Sequence, residues 1–109
     1  MNFHEYQVAA RETAQYPDMG RNFYYPTLGL AGESGEVAEK IKKLMRDGDG
    51  VLTQDRREAL RKELGDVLWY VAALCSELGL SMQDVAEHNI AKLRDRRARG
   101  AIKGDGDNR

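Results

Sequence analysis

Cysteine, proline and histidine are scarce in this 109-residue chain, which has one, two and two of them. The single cysteine, Cys75, excludes an internal disulfide and suits a reducing compartment. Two prolines leave room for long helices. Neither histidine has a glutamate three residues before it, because Met1 precedes His4 and Val85 precedes His88. This argues against a di-iron helical bundle, which uses Glu-x-x-His pairs.

An excess of one charge is also missing, since 17 basic residues nearly balance 18 acidic ones and the net charge is −1. Such a balance gives no general attraction to nucleic acid or to an anionic membrane. The longest apolar run, residues 67–75, is far shorter than the ~18 residues that indicate a membrane span. The segment MNFHEYQ does not have the pattern of a signal peptide. We therefore predict a cytoplasmic protein with no membrane partner.

What the chain does contain is four segments of helical periodicity, which predict an all-α, four-helix-type bundle in one domain over residues 1–99. Asn2, Thr53 and Ser81 are the expected N-caps. The glycine-rich segment 100–109 is predicted to be a flexible tail. The four predicted helices cover residues 3–16, 27–46, 54–78 and 82–99.

Residues 17–26 are predicted to form a loop, because they include both prolines, a glycine and an asparagine. The loop also contains Arg21 and the consecutive rings of Phe23, Tyr24 and Tyr25. Two interpretations stay open. The rings could anchor the loop to the bundle, or the loop could be a lid in which a nucleobase stacks and Arg21 meets phosphate.

Two acidic pairs are the strongest sign of a functional site. Glu33 and Glu36 lie in LAGESGEVAEKIKK, and Glu63 and Asp66 lie in KELGDVLWY, each pair at i, i+3. On a helix this spacing points both carboxylates from one face, so two antiparallel helices would gather all four. Gathered carboxylates repel one another, and a hard divalent cation such as Mg²⁺ removes that cost. The alternative is two solvated helix faces in a chain rich in charge.

Three glycines, Gly29, Gly32 and Gly35, lie along the same predicted helix at i, i+3. Each is less favourable than alanine in a helix interior by about 1 kcal/mol. Their repetition along one side therefore indicates that another group, either backbone or ligand, comes close beside the acidic residues.

These segments together resemble the all-α nucleoside triphosphate pyrophosphohydrolases of the MazG type, relatives of the dimeric dUTPases. LGLAGESGEVAEKIKK is similar to the family's first acidic helix and KELGDVLWYVAAL to its second. The pattern Asn89-x-x-Lys92-Leu-x-x-Arg96 resembles the family's helix that reaches the phosphates. The closing GDGDNR is similar to tails of small single-domain members. The resemblance implies a homo-oligomer, either a dimer or a tetramer.

By this resemblance the chain would hydrolyse a nucleoside triphosphate to the monophosphate and pyrophosphate, by attack of water on the α-phosphorus. Glu33 or Glu36 would orient or deprotonate that water. Mg²⁺ would be the cofactor, with Mn²⁺ a possible substitute. The expected metal and catalytic residues are Glu33, Glu36, Glu63 and Asp66, and the expected substrate-binding residues are Lys40, Tyr70, Asn89, Lys92 and Arg96.

Two other functions are alternatives to the enzyme. Residues 77–92 have the look of a helix–turn–helix and a basic stretch follows them, which would fit a nucleic-acid-binding module. The acidic pairs and the net charge would then be unexplained, so no stable nucleic-acid partner is expected. The other alternative is a non-catalytic nucleotide-binding module in which the fold serves assembly alone. The presence of all four acidic residues argues against it.

Overall fold

A computed structural model of the chain describes residues 1–100, 104, 106 and 107. Within that part the protein is all-helical, as predicted. The four helices are α1 (Phe3–Glu12), α2 (Tyr24–Asp47), α3 (Gln54–Glu77) and α4 (Met82–Ala98). Side chains of the three expected N-cap residues accept hydrogen bonds from the first turns of α1, α3 and α4, which confirms those helix starts.

The prediction that the first helix reaches residue 16 is wrong, because α1 ends at Glu12. The hydroxyl of Thr13 donates to the Ala10 carbonyl at 2.7 Å and closes the last turn. The chain then turns so that Tyr16 is buried, stacked on Tyr25 with ring centroids 4.7 Å apart. Burial of this ring against a residue of α2 outweighs continuation of the helix.

The predicted loop over 17–26 is too long by three residues, because α2 begins at Tyr24 and includes Pro26. Proline is tolerated there because the first N–H groups of a helix have no partner within the helix. Pro26 is also fully buried. The side chain of Asn22 accepts a hydrogen bond from the Tyr25 N–H at 3.1 Å, and so satisfies one of those free groups.

Helices α2 and α3 form an antiparallel hairpin, which is the most extensive helix contact of the fold. Gly29 lies against Tyr70 near one end, and Gly48 lies against Arg56 near the other. The connection between the helices turns through Asp49 and Gly50, both at positive φ. This register places the middle of α2, with its acidic pair, opposite the middle of α3.

Helix α1 packs on α3, and α4 packs on both of them. The buried core between these helices is formed by Ala10, Ala72, Cys75 and Met82. Burial raises the pKa of the Cys75 thiol. Within the described residues, α4 makes no contact with α2.

Several apolar side chains that the helical pattern assigns to a core stay exposed in the single chain. Leu64 is 56% exposed and Leu68 36% exposed, on the apolar face of α3. Ile41, Leu78, Val85 and Ile90 are exposed too. The four helices of one chain therefore cover only part of the apolar surface that their sequences encode.

Taken singly, the described helices do not combine the length and hydropathy that crossing a bilayer requires. The pair α3 and α4 meets that requirement by length and composition alone, although the two helices meet at a bend of 104°.

Candidate metal centre and active site

The antiparallel hairpin gathers three of the four predicted carboxylates. One oxygen from each of Glu33, Glu63 and Asp66 lies within 4.8 Å of the others. Glu33 and Glu63 are partly buried, whereas Asp66 is exposed. The cluster arises because Glu63 and Asp66 leave α3 one turn apart and face α2 at the level of Glu33.

Glu36 lies one turn further along α2 and outside this group of three. It is exposed, but its charge still acts on Glu33. The pKa of Glu33 is raised by partial burial, by the charge of Asp66, by a hydrogen bond and charge interaction with Glu63, and by the charge of Glu36. The site therefore concentrates negative charge on oxygen atoms, and this donor set suits a hard divalent cation.

Lys40 is the basic residue that the structure places against the cluster. Its Nζ lies 3.7 Å from a carboxylate oxygen of Glu63, and the lysine side chain is 38% exposed. Lys40 therefore lies at the edge of the carboxylate group, with part of its side chain still open to solvent.

Tyr70 borders the cluster on the other side and explains one of the three α2 glycines. A Cβ on Gly29 would lie within 3.0 Å of the Tyr70 ring. Apart from its own helix, no described atom lies within 4 Å of a Cβ built on Gly32 or Gly35. Burial raises the pKa of Tyr70, and the charge and hydrogen bond of Tyr25 raise it further. Gly29 thus accommodates the ring, while the other two glycines leave an open surface beside the acidic residues.

The loop before α2 is held by a buried ion pair that sequence reasoning missed. The Glu77 carboxylate is fully buried and accepts hydrogen bonds from the backbone N–H of Gly20 at 2.8 Å and of Asn22 at 2.9 Å. Arg11 donates to it at 3.1 Å. The one signal in the sequence was that Glu77, at the end of an apolar face, has Ser81 rather than a basic residue at i+4.

Tyr25 fits the interpretation in which the rings anchor the loop, whereas the exposed Phe23 and Tyr24 leave the lid interpretation open. Tyr25 packs between Tyr16 and Tyr70 and so anchors the chain to the bundle. The ring centroids of Phe23 and Tyr24 lie 4.5 Å apart, and both side chains stay exposed. Arg21 is also exposed and lies 3.6 Å from Asp18.

The α4 residues assigned to substrate are not brought to the carboxylate cluster within one chain. Asn89 is exposed. Lys92 pairs with the Asp107 carboxylate at 3.0 Å. Arg96 is 3% exposed and donates to the backbone carbonyls of Gly106 and Asp107, while its Nε has no partner among the described residues. The tail thus contacts α4 through its described residues; the remainder of the predicted flexible tail, 101–103, 105, 108 and 109, lies outside them.

An all-α hairpin that gathers carboxylates from two helices defines a helical protein with a candidate divalent-cation site. Residues 26–100 match the MazG family model, described as the MazG nucleotide pyrophosphohydrolase domain. The chain belongs to this family, as its sequence motifs indicated. It is also 50% identical over 109 residues to the Gene 37 protein of Mycobacterium phage L5, covering 95% of this chain and 96% of that protein. No solved structure shows a significant match to this chain.

Proposed function

We propose that the protein is a magnesium-dependent pyrophosphohydrolase that converts nucleoside or deoxynucleoside triphosphates to the monophosphate and pyrophosphate. The observation that carries this proposal is the convergence of Glu33, Glu63 and Asp66 within 4.8 Å in a member of the MazG nucleotide pyrophosphohydrolase family.

The three carboxylates, with Glu36 beside them, would hold Mg²⁺, or Mn²⁺ in its place. An all-oxygen donor set with an excess of negative charge fits such an ion. Burial raises the pKa of Glu33, and the charges of the neighbouring acidic residues raise it further. When bound, the ion supplies positive charge against the phosphoryl oxygens and lowers the pKa of a nearby water.

The chain's own groups account for the rest of the reaction. Glu36, exposed beside the cluster, orients the attacking water and accepts its proton. The water oxygen forms a bond to the α-phosphorus, and the bond from that phosphorus to the bridging oxygen of the β-phosphate breaks. Pyrophosphate departs with the electron pair, and nearby lysine and arginine side chains stabilise its charge. Tyr70, next to the cluster, bounds the nucleoside side of the site.

Self-association would complete the site. The exposed apolar face with Leu64 and Leu68 needs a partner surface, and α4 with Asn89, Lys92 and Arg96 does not contact α2 in one chain. In a homodimer or homotetramer, a second copy can cover that face and bring basic residues to the cluster.

The test is pyrophosphate release from a panel of ribo- and deoxynucleoside triphosphates, with Mg²⁺ and with a chelator. We expect turnover only with the metal. We expect Asp66→Asn and Glu36→Gln to lower kcat by roughly 100-fold or more, since loss of one electrostatic partner of a transition state typically has that size. Glu58→Gln is the matched control, because Glu58 pairs with Arg61 instead. Full activity in the first two variants, with helical content unchanged, contradicts the proposal.

One observation favours the nucleic-acid-binding alternative: α3 and α4 are joined by four residues and meet at 104°, within the range of a helix–turn–helix. A gel-shift assay distinguishes the two functions. Duplex binding that weakens steeply with salt, together with no Mg²⁺-dependent turnover, would support this alternative.

A further inference from the structure

A second feature of the α2–α3 hairpin adjoins the carboxylate cluster at Lys40. It is a cavity of about 270 Å³ between the two helices, on the side of their connecting loop. Three of the side chains that line it are basic and one is acidic. These four are Lys40, Lys43, Arg56 and Asp47, and the walls between them are Leu44, Ala59 and Leu60.

Arg56 is held in place at the cavity by features of the loop. Its guanidinium donates to the Val51 carbonyl at 2.7 Å. It also lies so close to Gly48 that a Cβ on that glycine would overlap it. A guanidinium has five N–H donors in a planar fork, so this one bond leaves donors for an anion in the cavity.

The cavity and the carboxylate cluster share Lys40. This lysine lines the cavity and has its Nζ 3.7 Å from Glu63. Along α3, Arg56 precedes Glu63 by seven residues, which corresponds to about 10 Å at 1.5 Å per residue. An anion at Arg56 would therefore lie about two helical turns from the cluster, with Lys40 at the junction of the two.

The basic residues of α4 are differently placed. Lys92 and Arg96 are paired with Asp107, which is 81% exposed, and these contacts lower the pKa of that carboxyl. In the single chain, those two cations thus already have an anion. The lysines of the cavity also have carboxylate partners, Glu63 at 3.7 Å for Lys40 and Glu39 at 3.6 Å for Lys43, whereas Arg56 donates to the neutral Val51 carbonyl.

We propose that this cavity binds a condensed phosphate, namely the β- and γ-phosphates of the bound triphosphate and then the released pyrophosphate, with Lys43 and Arg56 as its contacts and Lys40 at its junction with the cluster. The inference rests on the proposed function, because it places one part of that substrate.

Titration calorimetry with inorganic pyrophosphate in magnesium-containing buffer tests the assignment on the full chain. We expect Lys43→Gln and Arg56→Gln each to weaken binding about tenfold or more, the usual consequence of losing a hydrogen bond to a charged group. Arg56→Lys should lose part of the affinity, since it keeps the charge without the fork.

The matched controls remove the same charge one position away. Lys42 pairs with Glu39 at 2.9 Å and Arg57 is exposed, and neither lines the cavity. Lys42→Gln and Arg57→Gln should bind pyrophosphate within about twofold of the unmodified chain, as surface charges contribute little. Equal losses in controls and cavity variants would overturn the inference, since general charge would then explain binding. So would unchanged binding in both cavity variants. Lys43 is 56% exposed, so Lys43→Gln serves even if Arg56→Gln does not fold.

Turnover separates failure of this inference from failure of the proposed function. If the unmodified chain hydrolyses triphosphates and Lys43→Gln and Arg56→Gln leave KM and pyrophosphate affinity unchanged, the cavity assignment is wrong and the enzyme assignment stands. If no triphosphate is hydrolysed but the cavity variants alone lose pyrophosphate, the binding site stands and the reaction is wrong.

Discussion

At the scale of one residue, Glu33 links the candidate cation site to the stability of the fold. Its pKa in the folded chain is raised by burial and by three acidic neighbours. A carboxyl with a raised folded-state pKa contributes stability below its ordinary pKa of about 4.3, and that stability is lost as the pH rises through the folded-state value. At neutral pH the ionised Glu33 carboxylate therefore opposes folding, and a cation bound beside it would offset this effect.

Replacing this carboxylate with an amide should separate stability from metal binding. We predict that Glu33→Gln raises the Tm of the chelator-treated protein at pH 7 and abolishes most of the further rise in Tm that Mg²⁺ produces. Thermal unfolding followed by circular dichroism measures both. Glu39→Gln should not raise the Tm, because hydrogen bonds from Lys42 lower the pKa of Glu39. A variant that keeps the full magnesium effect would show that Glu33 is not a ligand.

The pKa of Glu77 is shifted in the opposite direction to that of Glu33. Its burial alone would raise its pKa, but hydrogen bonds from the backbone of Asn22 and Gly20 and from Arg11 outweigh burial and lower the pKa. We predict that Glu77→Gln destabilises the fold by about 2–3 kcal/mol at pH 7, because the partly buried Arg11 loses its ionic partner. Urea unfolding measures this difference.

The pH dependence gives a second measurement on the same variant. A lowered folded-state pKa means that Glu77 contributes stability above about pH 4.3 and loses it as the pH falls through the lower folded-state pKa. The difference between the original chain and Glu77→Gln should therefore shrink in acid. A difference that stays constant from pH 7 to pH 3 would contradict the ionic role of Glu77.

At the scale of the element, two glycines of α2 have different surroundings, since Gly29 lies against Tyr70 and Gly35 faces open space. Gly29→Ala should destabilise the fold by about 1–3 kcal/mol, because the added methyl overlaps Tyr70, whose ring is confined by Tyr25 and Trp69. Gly35→Ala meets open space and should stabilise the fold by up to about 1 kcal/mol. In a Tyr70→Ala background the two substitutions should have the same sign. Persistent destabilisation by Gly29→Ala in that background would rule out the ring as the cause.

The extent to which elements follow from sequence depends on how local their causes are. The N-caps and the bounds of α3 follow from residues within one turn, and the approach of Glu33 to Asp66 follows from spacing on two adjacent helices. The end of α1 and the start of α2 could not be read in this way, because they depend on the packing of Tyr16 and Pro26.

Long-range partners explain what was missed at the site. Glu77 meets the backbone of Gly20 across 57 residues, and Arg96 takes its partners from the tail. No periodicity connects such segments. The cavity at Arg56 could not be predicted from the sequence either, because it depends on the absence of a side chain at Gly48 across the hairpin.

At the scale of the whole molecule, the uncovered face of α3 predicts assembly. We predict that the protein sediments as a dimer or tetramer and that Leu64→Lys shifts it towards the monomer with loss of turnover, because charge in an apolar interface opposes association. Val51→Lys, at another residue that is 56% exposed but lies in the α2–α3 loop, is the control and should sediment like the original chain. A monomeric original chain that retains full turnover would contradict the proposed role of the second copy.

The shared position of Lys40 has a thermodynamic consequence. A lysine that neutralises Glu63 cannot at the same moment neutralise a phosphate, so a cation that takes over Glu63 makes Lys40 available to the anion. Metal and pyrophosphate should then each strengthen the binding of the other by the same factor, as reciprocity requires. In the proposed reaction, the affinity for the leaving group would rise when the ion that promotes its departure is already present, and Lys40→Gln would weaken this coupling.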